Sequence, residues 1–201
     1  MKPSYKEAIT AVYADDADAV DDVIRRGFDL TETDNVGNSV LMWAAQGHEK
    51  AVCALIANKA DINHKNEAGY TALMWAVTAR ETKIVRLLVE EGADINAQRE
   101  NGWSVLMTAV QSGSIEIMQI LLDKCVDTEA RNDAGLRAVD IAEKGGKTLI
   151  VEQIKDMIET NRHRAAEAVL REKEAQQEDI ALKLQHLKQR APKVRLKGLG
   201  L

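Results

Sequence analysis

Aromatic residues make up 3% of this 201-residue chain, and cysteine and proline occur twice each. No apolar run approaches the ~18–20 residues needed to cross a bilayer. Each scarcity excludes something. Cys53 and Cys125 lie far apart and form no metal motif, so a reduced, cytoplasmic setting is expected. The opening "MKPSYKEAITAVYADD" turns acidic before an apolar core can form, unlike a secretory signal. There is no Asn-x-Ser/Thr acceptor site. Acidic side chains stop at Asp179. From Thr160 onward ten Lys/Arg face five Asp/Glu, so the net charge of -5 divides into a body of -10 and a C-terminal stretch of +5.

Catalytic sets are missing as well. The four histidines, His48, His64, His163 and His186, show neither His-x-x-His nor His-Glu-x-x-His spacing. "DDADAVDD" (Asp15–Asp22) lacks the glycine and closing glutamate of a calcium loop, and its acids suit a helix N-terminus instead. No glycine-rich phosphate loop occurs, and Gly145-Gly146 reads as a turn between helices. Cys53 falls inside an apolar segment, where a buried, inert thiol is expected, with Cys125 the more exposed of the two. The expectation is a protein without catalytic residues, cofactor or metal.

What the chain does have is a period. Gly37, Gly69, Gly102 and Gly135 are spaced 32, 33 and 33 apart, and they open "GNSVLMWAA", "GYTALMWAV", "GWSVLMTAV" and "GLRAVDIAE". A second set follows: "AVCALIANKADIN", "IVRLLVEEGADIN" and "IMQILLDKCVDT". Leu73, Ala76 and Val77 fall at i, i+3, i+4, as do Ile84, Leu87 and Leu88. Each unit therefore predicts two short helices, then a turn and an extended stretch such as "ADINAQRENG". One unit cannot bury both apolar faces, whereas stacked units can.

These residues resemble the ankyrin repeat. Thr71-Ala72-Leu73-Met74, Leu87-Leu88, Gly92-Ala93-Asp94 and Asn96 follow that family's order. The resemblance covers roughly residues 5–159 and implies an all-α solenoid of stacked helix pairs with hairpin-like loops; the residues beyond it read as a long C-terminal helix. The units run about 5–33, 34–66, 67–99, 100–132 and 133–159, the first and last acting as caps. Asp18, Asp21 and Asp22 suit a solvated end. Met42, Met74 and Met107 replace the family's histidine, so its loop hydrogen bonds must come from elsewhere. Lys59 and Cys125 replace the turn glycine, and a left-handed backbone there would cost about 1 kcal/mol or more.

Two of the three tryptophans sit in the two "LMWA" copies. Trp43 lies two residues after Leu41, about 200° round the helix, so it cannot share the buried face. The resemblance implies that Trp43 and Trp75 stand side by side in the concave groove, with Thr108 continuing the row. Trp103, Tyr70 and Asn38 share the place after the loop glycine, where loop meets groove. Asn35, Glu67, Glu100, Asn101 and Asp133 mark the loop tips. The expected binding set is Trp43, Trp75, Trp103, Tyr70, Thr108, Asn38, Glu67, Glu100 and Asn101. The competing reading is that the tryptophans fill the stack. The acidic body suits a protein partner with basic and apolar groups and disfavours nucleic acid on the groove. Asn63 and Asn96 hold turn positions where the resemblance implies candidate hydroxylation sites, the competing reading being an asparagine that bonds within its own turn.

Residues 160–191 read as a helical extension with a break near Thr160-Asn161, i, i+4 pairs Glu167–Arg171 and Asp179–Lys183, and a weak coiled-coil signal. Protrusion and docking of Ile180, Leu184 and Leu187 onto a partner or a second copy both stay open, hence monomer or dimer. The tail, 192–201, is basic and expected to be mobile. Lys183, Lys188, Arg190, Lys193, Arg195 and Lys197 are its candidate contacts, whether for a linear motif, weak nucleic-acid or anionic-membrane binding, or a sorting address. Two functions follow: a non-catalytic adaptor that binds a protein through groove and loop tips, or a regulatory inhibitor or secreted microbial effector whose basic segment reaches a second target such as nucleic acid.

Overall fold

The computed structural model describes residues 2–146 and 148–190, with the backbone alone for Leu149 and 184–190. The described residues form ten helices and no strand, with two isolated bridges, Thr33–Ser39 and Gln98–Ser104. The helices are α1 (Tyr5–Tyr13), α2 (Ala17–Arg25), α3 (Val40–Ala44), α4 (Glu49–Ala57), α5 (Ala72–Ala79), α6 (Thr82–Glu90), α7 (Val105–Ser112), α8 (Ile115–Asp123), α9 (Ala138–Lys144) and α10 (Thr148–Arg190). They pair in order. The first members, α1, α3, α5, α7 and α9, pack side by side in one row, and α2, α4, α6 and α8 form a second. This is the expected all-helical solenoid.

The repeated residues explain the repeated geometry. Ser39, Thr71 and Ser104 cap α3, α5 and α7, their hydroxyls accepting from the amides of Met42, Met74 and Met107 at 3.4, 3.3 and 3.2 Å. Leu41, Leu73 and Leu106 are buried one turn in, beside Ala44, Ala76 and Ala109, whose small side chains let neighbouring helices approach. Leu55, Leu88 and Leu121 do the same for the second row. Each such leucine contributes about 1.5–3 kcal/mol of burial.

Between pairs the chain forms fingers. Asp34 Oδ1 accepts from the amides of Val36 and Asn38, Asn66 Oδ1 from Ala68 and Tyr70, and Asn132 Oδ1 from Ala134 and Leu136. These side chains supply the loop bonds, and of the three buried methionines Met107 adds one, its Sδ accepting from Ser104 N at 3.4 Å. One backbone bond joins each finger to the next: Glu67 N to Val36 O at 3.3 Å, Glu100 N to Ala68 O at 3.4 Å and Asp133 N to Asn101 O at 3.1 Å. Such closeness requires glycine at Gly69 and Gly102. Both have positive φ (+78° and +70°), and a Cβ on either would sit 2.9 Å from the Cα of Arg99 or Asn132.

Lys59 and Cys125 do adopt the left-handed backbone, with φ of 67° and 59°, where Gly27 and Gly92 stand in other units. Asn63 and Asn96 bond beyond their own turns. Asn63 Oδ1 accepts from Asp94 N at 2.7 Å, and Asn96 Oδ1 from Asp127 N at 2.8 Å, tying each unit to the next.

Two expectations are corrected. Cys53 is exposed, because α4 buries Ala51, Val52, Ala54 and Leu55 and residue 53 falls on the opposite side. Helix α10 runs unbroken through Thr160-Asn161, a stretch holding neither Gly nor Pro.

The chain divides into two compact units, one ending at Ile158 and the other beginning at Glu159. In the first, Val151 and Ile154 of α10 are buried. In the second, Val169, Leu170, Ile180 and Leu182 are exposed, and Glu167–Arg171 and Asp179–Lys183 form ion pairs at 3.9 and 2.6 Å.

Candidate partner-binding face

The first-helix row presents an aromatic ladder. The rings of Trp43 (α3) and Trp75 (α5) meet edge to face, with centroids 5.2 Å apart. Tyr13, at the end of α1 and 54% exposed, meets Trp43 at 6.3 Å and His48 at 5.2 Å, again edge to face. Both tryptophans are half-buried, whereas the leucines and alanines flanking them are closed. They combine contact with a neighbour and an open face.

The two indoles differ in their polar partners. Trp43 Nε1 donates to Asp34 Oδ2 at 3.2 Å. The same oxygen accepts from Asn38 Nδ2 at 2.9 Å, and Asn38 Oδ1 accepts from Asn66 Nδ2 at 2.7 Å. Burial pushes the Asp34 carboxyl up, but the Asn38 and Val36 amides, the Asn38 side chain and the Trp43 indole outweigh it and hold its pKa below the ordinary carboxylate value. Nearby, burial and then the Asp34 charge push the Tyr5 phenol up to about 12, and its hydroxyl donates to Asn38 O at 2.6 Å. Trp75 has Asn66 where Trp43 has Asp34. Asn66 already spends its oxygen on two loop amides, and Trp75 Nε1 is buried without an acceptor among the protein atoms.

In the next finger the equivalent residue is Arg99. Its guanidinium lies over the Tyr70 ring at 4.6 Å and the Trp103 ring at 5.3 Å, and its Nη1 donates to the Tyr70 hydroxyl. Trp103 is half-buried, and its Nε1 and the Arg99 Nε are also without acceptors.

A pocket of about 550 Å³ opens between the Asp34 and Asn66 fingers, beside Trp75 and Thr78 of α5. Val36, Ala68, Tyr70 and Trp75 form its apolar walls, and Asn38, Asn66, Gln46, Glu67 and Thr78 complete them.

Of the expected set, Trp75, Tyr70, Asn38 and Glu67 line this pocket, Trp43 contacts it through Trp75, and Trp103 lies behind Tyr70 across Arg99. Glu100 and Asn101 are exposed at the next fingertip. Thr108 does not continue the row as an open side chain. It is 5% exposed, with its hydroxyl donating to Ser104 O at 3.1 Å. Asn38 is 4% exposed, a strut between fingers more than a contact. Lys183 is exposed and paired with Asp179, while the side chains of Lys188 and Arg190, and Lys193, Arg195 and Lys197 altogether, lie outside the described residues.

Sequence reasoning passed over Asp34, Arg99 and Tyr13. The first two were readable: positions 34, 66, 99 and 132 are in phase and hold Asp, Asn, Arg and Asn. Tyr13 is out of phase and gave no signal.

Among the described residues no group of three or more His, Cys, Asp or Glu is placed to hold a metal ion, and no helix is long and apolar enough to cross a membrane. The Asp15–Asp22 acids are engaged locally. Asp16 caps α2, Asp15 accepts from the Lys50 and Ala51 amides at the start of α4, and Asp21 accepts from Asn58.

Comparison with known proteins adds three findings. A family model described as ankyrin repeats (3 copies) matches residues 8–99 and 92–164. The chain is 40% identical over 86 residues to the nuclear factor NF-kappa-B p105 subunit of Rattus norvegicus, covering 41% of this chain and 9% of that protein. It is 34% identical over 72 residues to palmitoyltransferase AKR1 of Candida glabrata, covering 35% of this chain and 9% of that protein. The chain thus spans under a tenth of either relative's length.

Proposed function

Because the chain belongs to the ankyrin-repeat family, whose repeats serve generally as protein-interaction modules, we propose that it is a non-catalytic adaptor that binds a partner protein through the face carrying Trp43, Trp75, Tyr70 and Trp103. The observation that carries this reading is the coincidence of aromatics and opening. In a chain with 3% aromatic residues, Trp75 and Tyr70 line one pocket, and ring contacts run on from Trp75 to Trp43 and Tyr13. Aromatics and arginine are the residues that dominate binding energy in protein interfaces. Fold alone leaves function open, since one solenoid serves unrelated partners. The regulatory or effector alternative rests on the basic segment, where Lys183 is neutralised by Asp179.

The test is affinity capture from a lysate of the source cell, comparing the natural chain with a Trp43→Ala/Trp75→Ala/Trp103→Ala variant whose folding is verified by circular dichroism. A protein held by the natural chain and lost by the folded variant supports recognition by this face. A protein held equally by both moves binding elsewhere and refutes the reading.

A further inference from the structure

The geometry points to the occupant of the pocket between the Asp34 and Asn66 fingers: an apolar side chain of the partner with a lysine or arginine next to it in sequence. This rests on the face being the binding surface and goes further, naming what enters it.

Most polar groups in the wall are already spent. Asn38 Nδ2 and Asn66 Nδ2 donate at 2.9 and 2.7 Å, Asn66 Oδ1 accepts two amides, and the Thr78 hydroxyl donates into its own helix at Met74 O, 2.8 Å away. A polar occupant would lose its water and find few free partners among these groups, so the cavity favours an apolar one. Val36, Ala68, Tyr70 and Trp75 supply the matching contact surface, and about 550 Å³ accommodates a large aliphatic or aromatic side chain.

Charge decides the neighbour. Glu67 is the only lining residue with an ionisable carboxylate; it is exposed at the fingertip and makes no ion pair among the described residues. Residues 1–159 carry -10, so the field around the mouth favours a cation. Glu67 stands exposed at the mouth, so the long, flexible stem of a lysine or arginine flanking the entering residue can carry its charge to the carboxylate. Trp75 Nε1 is buried in the wall without an acceptor among the protein atoms.

The test uses short random peptides displayed on phage and selected on the full chain, then synthesised and titrated against it by tryptophan fluorescence. Two exposed substitutions serve as probes: Ala68→Phe fills the cavity and Glu67→Lys reverses its charge, with circular dichroism verifying both folds. The expected result is enrichment of an apolar residue adjacent to Lys or Arg, with binding about tenfold weaker to either variant. The absence of enrichment, enrichment of acidic peptides, or binding indifferent to Ala68→Phe would each overturn the inference. A cellular protein lost by the triple tryptophan variant yet retained by Ala68→Phe and Glu67→Lys would also overturn it, while leaving the binding face intact.

Discussion

Trp43 and Trp75 lie in the same four-residue sequence, at the same turn of equivalent helices, with their rings in contact. One indole is tied to Asp34, and the other is buried without an acceptor. The difference comes from the residue nine places earlier, Asp34 against Asn66. A carboxylate has acceptor capacity for the loop amides and for an indole together. The Asn66 amide has one oxygen, used by the loop, and an NH2 turned to the preceding finger. A repeat copies backbone geometry faithfully, and single departures from it redistribute the polar partners.

The comparison has a baseline that both units should share. Leu41→Ala and Leu73→Ala each remove a buried side chain from the same layer and should each cost about 2–5 kcal/mol in urea unfolding. Very unequal losses would show that the units differ in packing as well as in polar partners.

A smaller effect should separate them. Asp34→Ala strips the acceptor from the Val36 and Asn38 amides, the Asn38 side chain and the Trp43 indole. About 2–3 kcal/mol should be lost, against about 1–2 kcal/mol for Asn66→Ala. Equal losses by chemical denaturation would mean that the indole bond contributes little.

The indoles can then be compared directly. Trp43→Phe should cost about 1–2 kcal/mol, since it breaks a bond to a charged group and leaves Asp34 with one donor fewer. Trp75→Phe should cost less, because no hydrogen bond is lost there. Differential scanning calorimetry on both variants would reveal a reversed order if it exists.

The smallest effect is in pH. Asp34 has its folded pKa depressed, so its contribution is complete above the unfolded value of about 3.9 and is lost as pH falls towards the folded value. Asp140, lowered to about 2 by its bonds from the Arg137 side chain and amide, adds a loss in the same direction. The fall in urea midpoint between neutral and acid pH should therefore be shallower in Asp34→Asn than in the natural chain. Parallel profiles would remove Asp34 from the account.

The stack was legible because its determinants recur: loop glycine, capping hydroxyl, leucine, alanine and the second leucine, each in phase. Burial on a single helix was less so. Cys53 reads as apolar and in place, yet facing depends on which neighbours α4 meets. Thr108 occupies the tryptophan position of its unit, but its short side chain ends on its own backbone. The helical angle took Trp43 off the buried leucine face, and the family resemblance set it beside Trp75. Asp34 and Arg99 stand out as the odd residues in the series 34, 66, 99 and 132, but which rings they meet, Trp43 for the one and Tyr70 and Trp103 for the other, is set by how the segments pack.

Cys53 on α4 and Cys125 after α8 are both exposed, free and within the stack. Together they are native attachment points for a pair of spin labels or dyes. The separation between such probes would report any change in the curvature of the array as a partner engages. The protein thus carries its own molecular ruler, with no cysteine to be added and none to be removed.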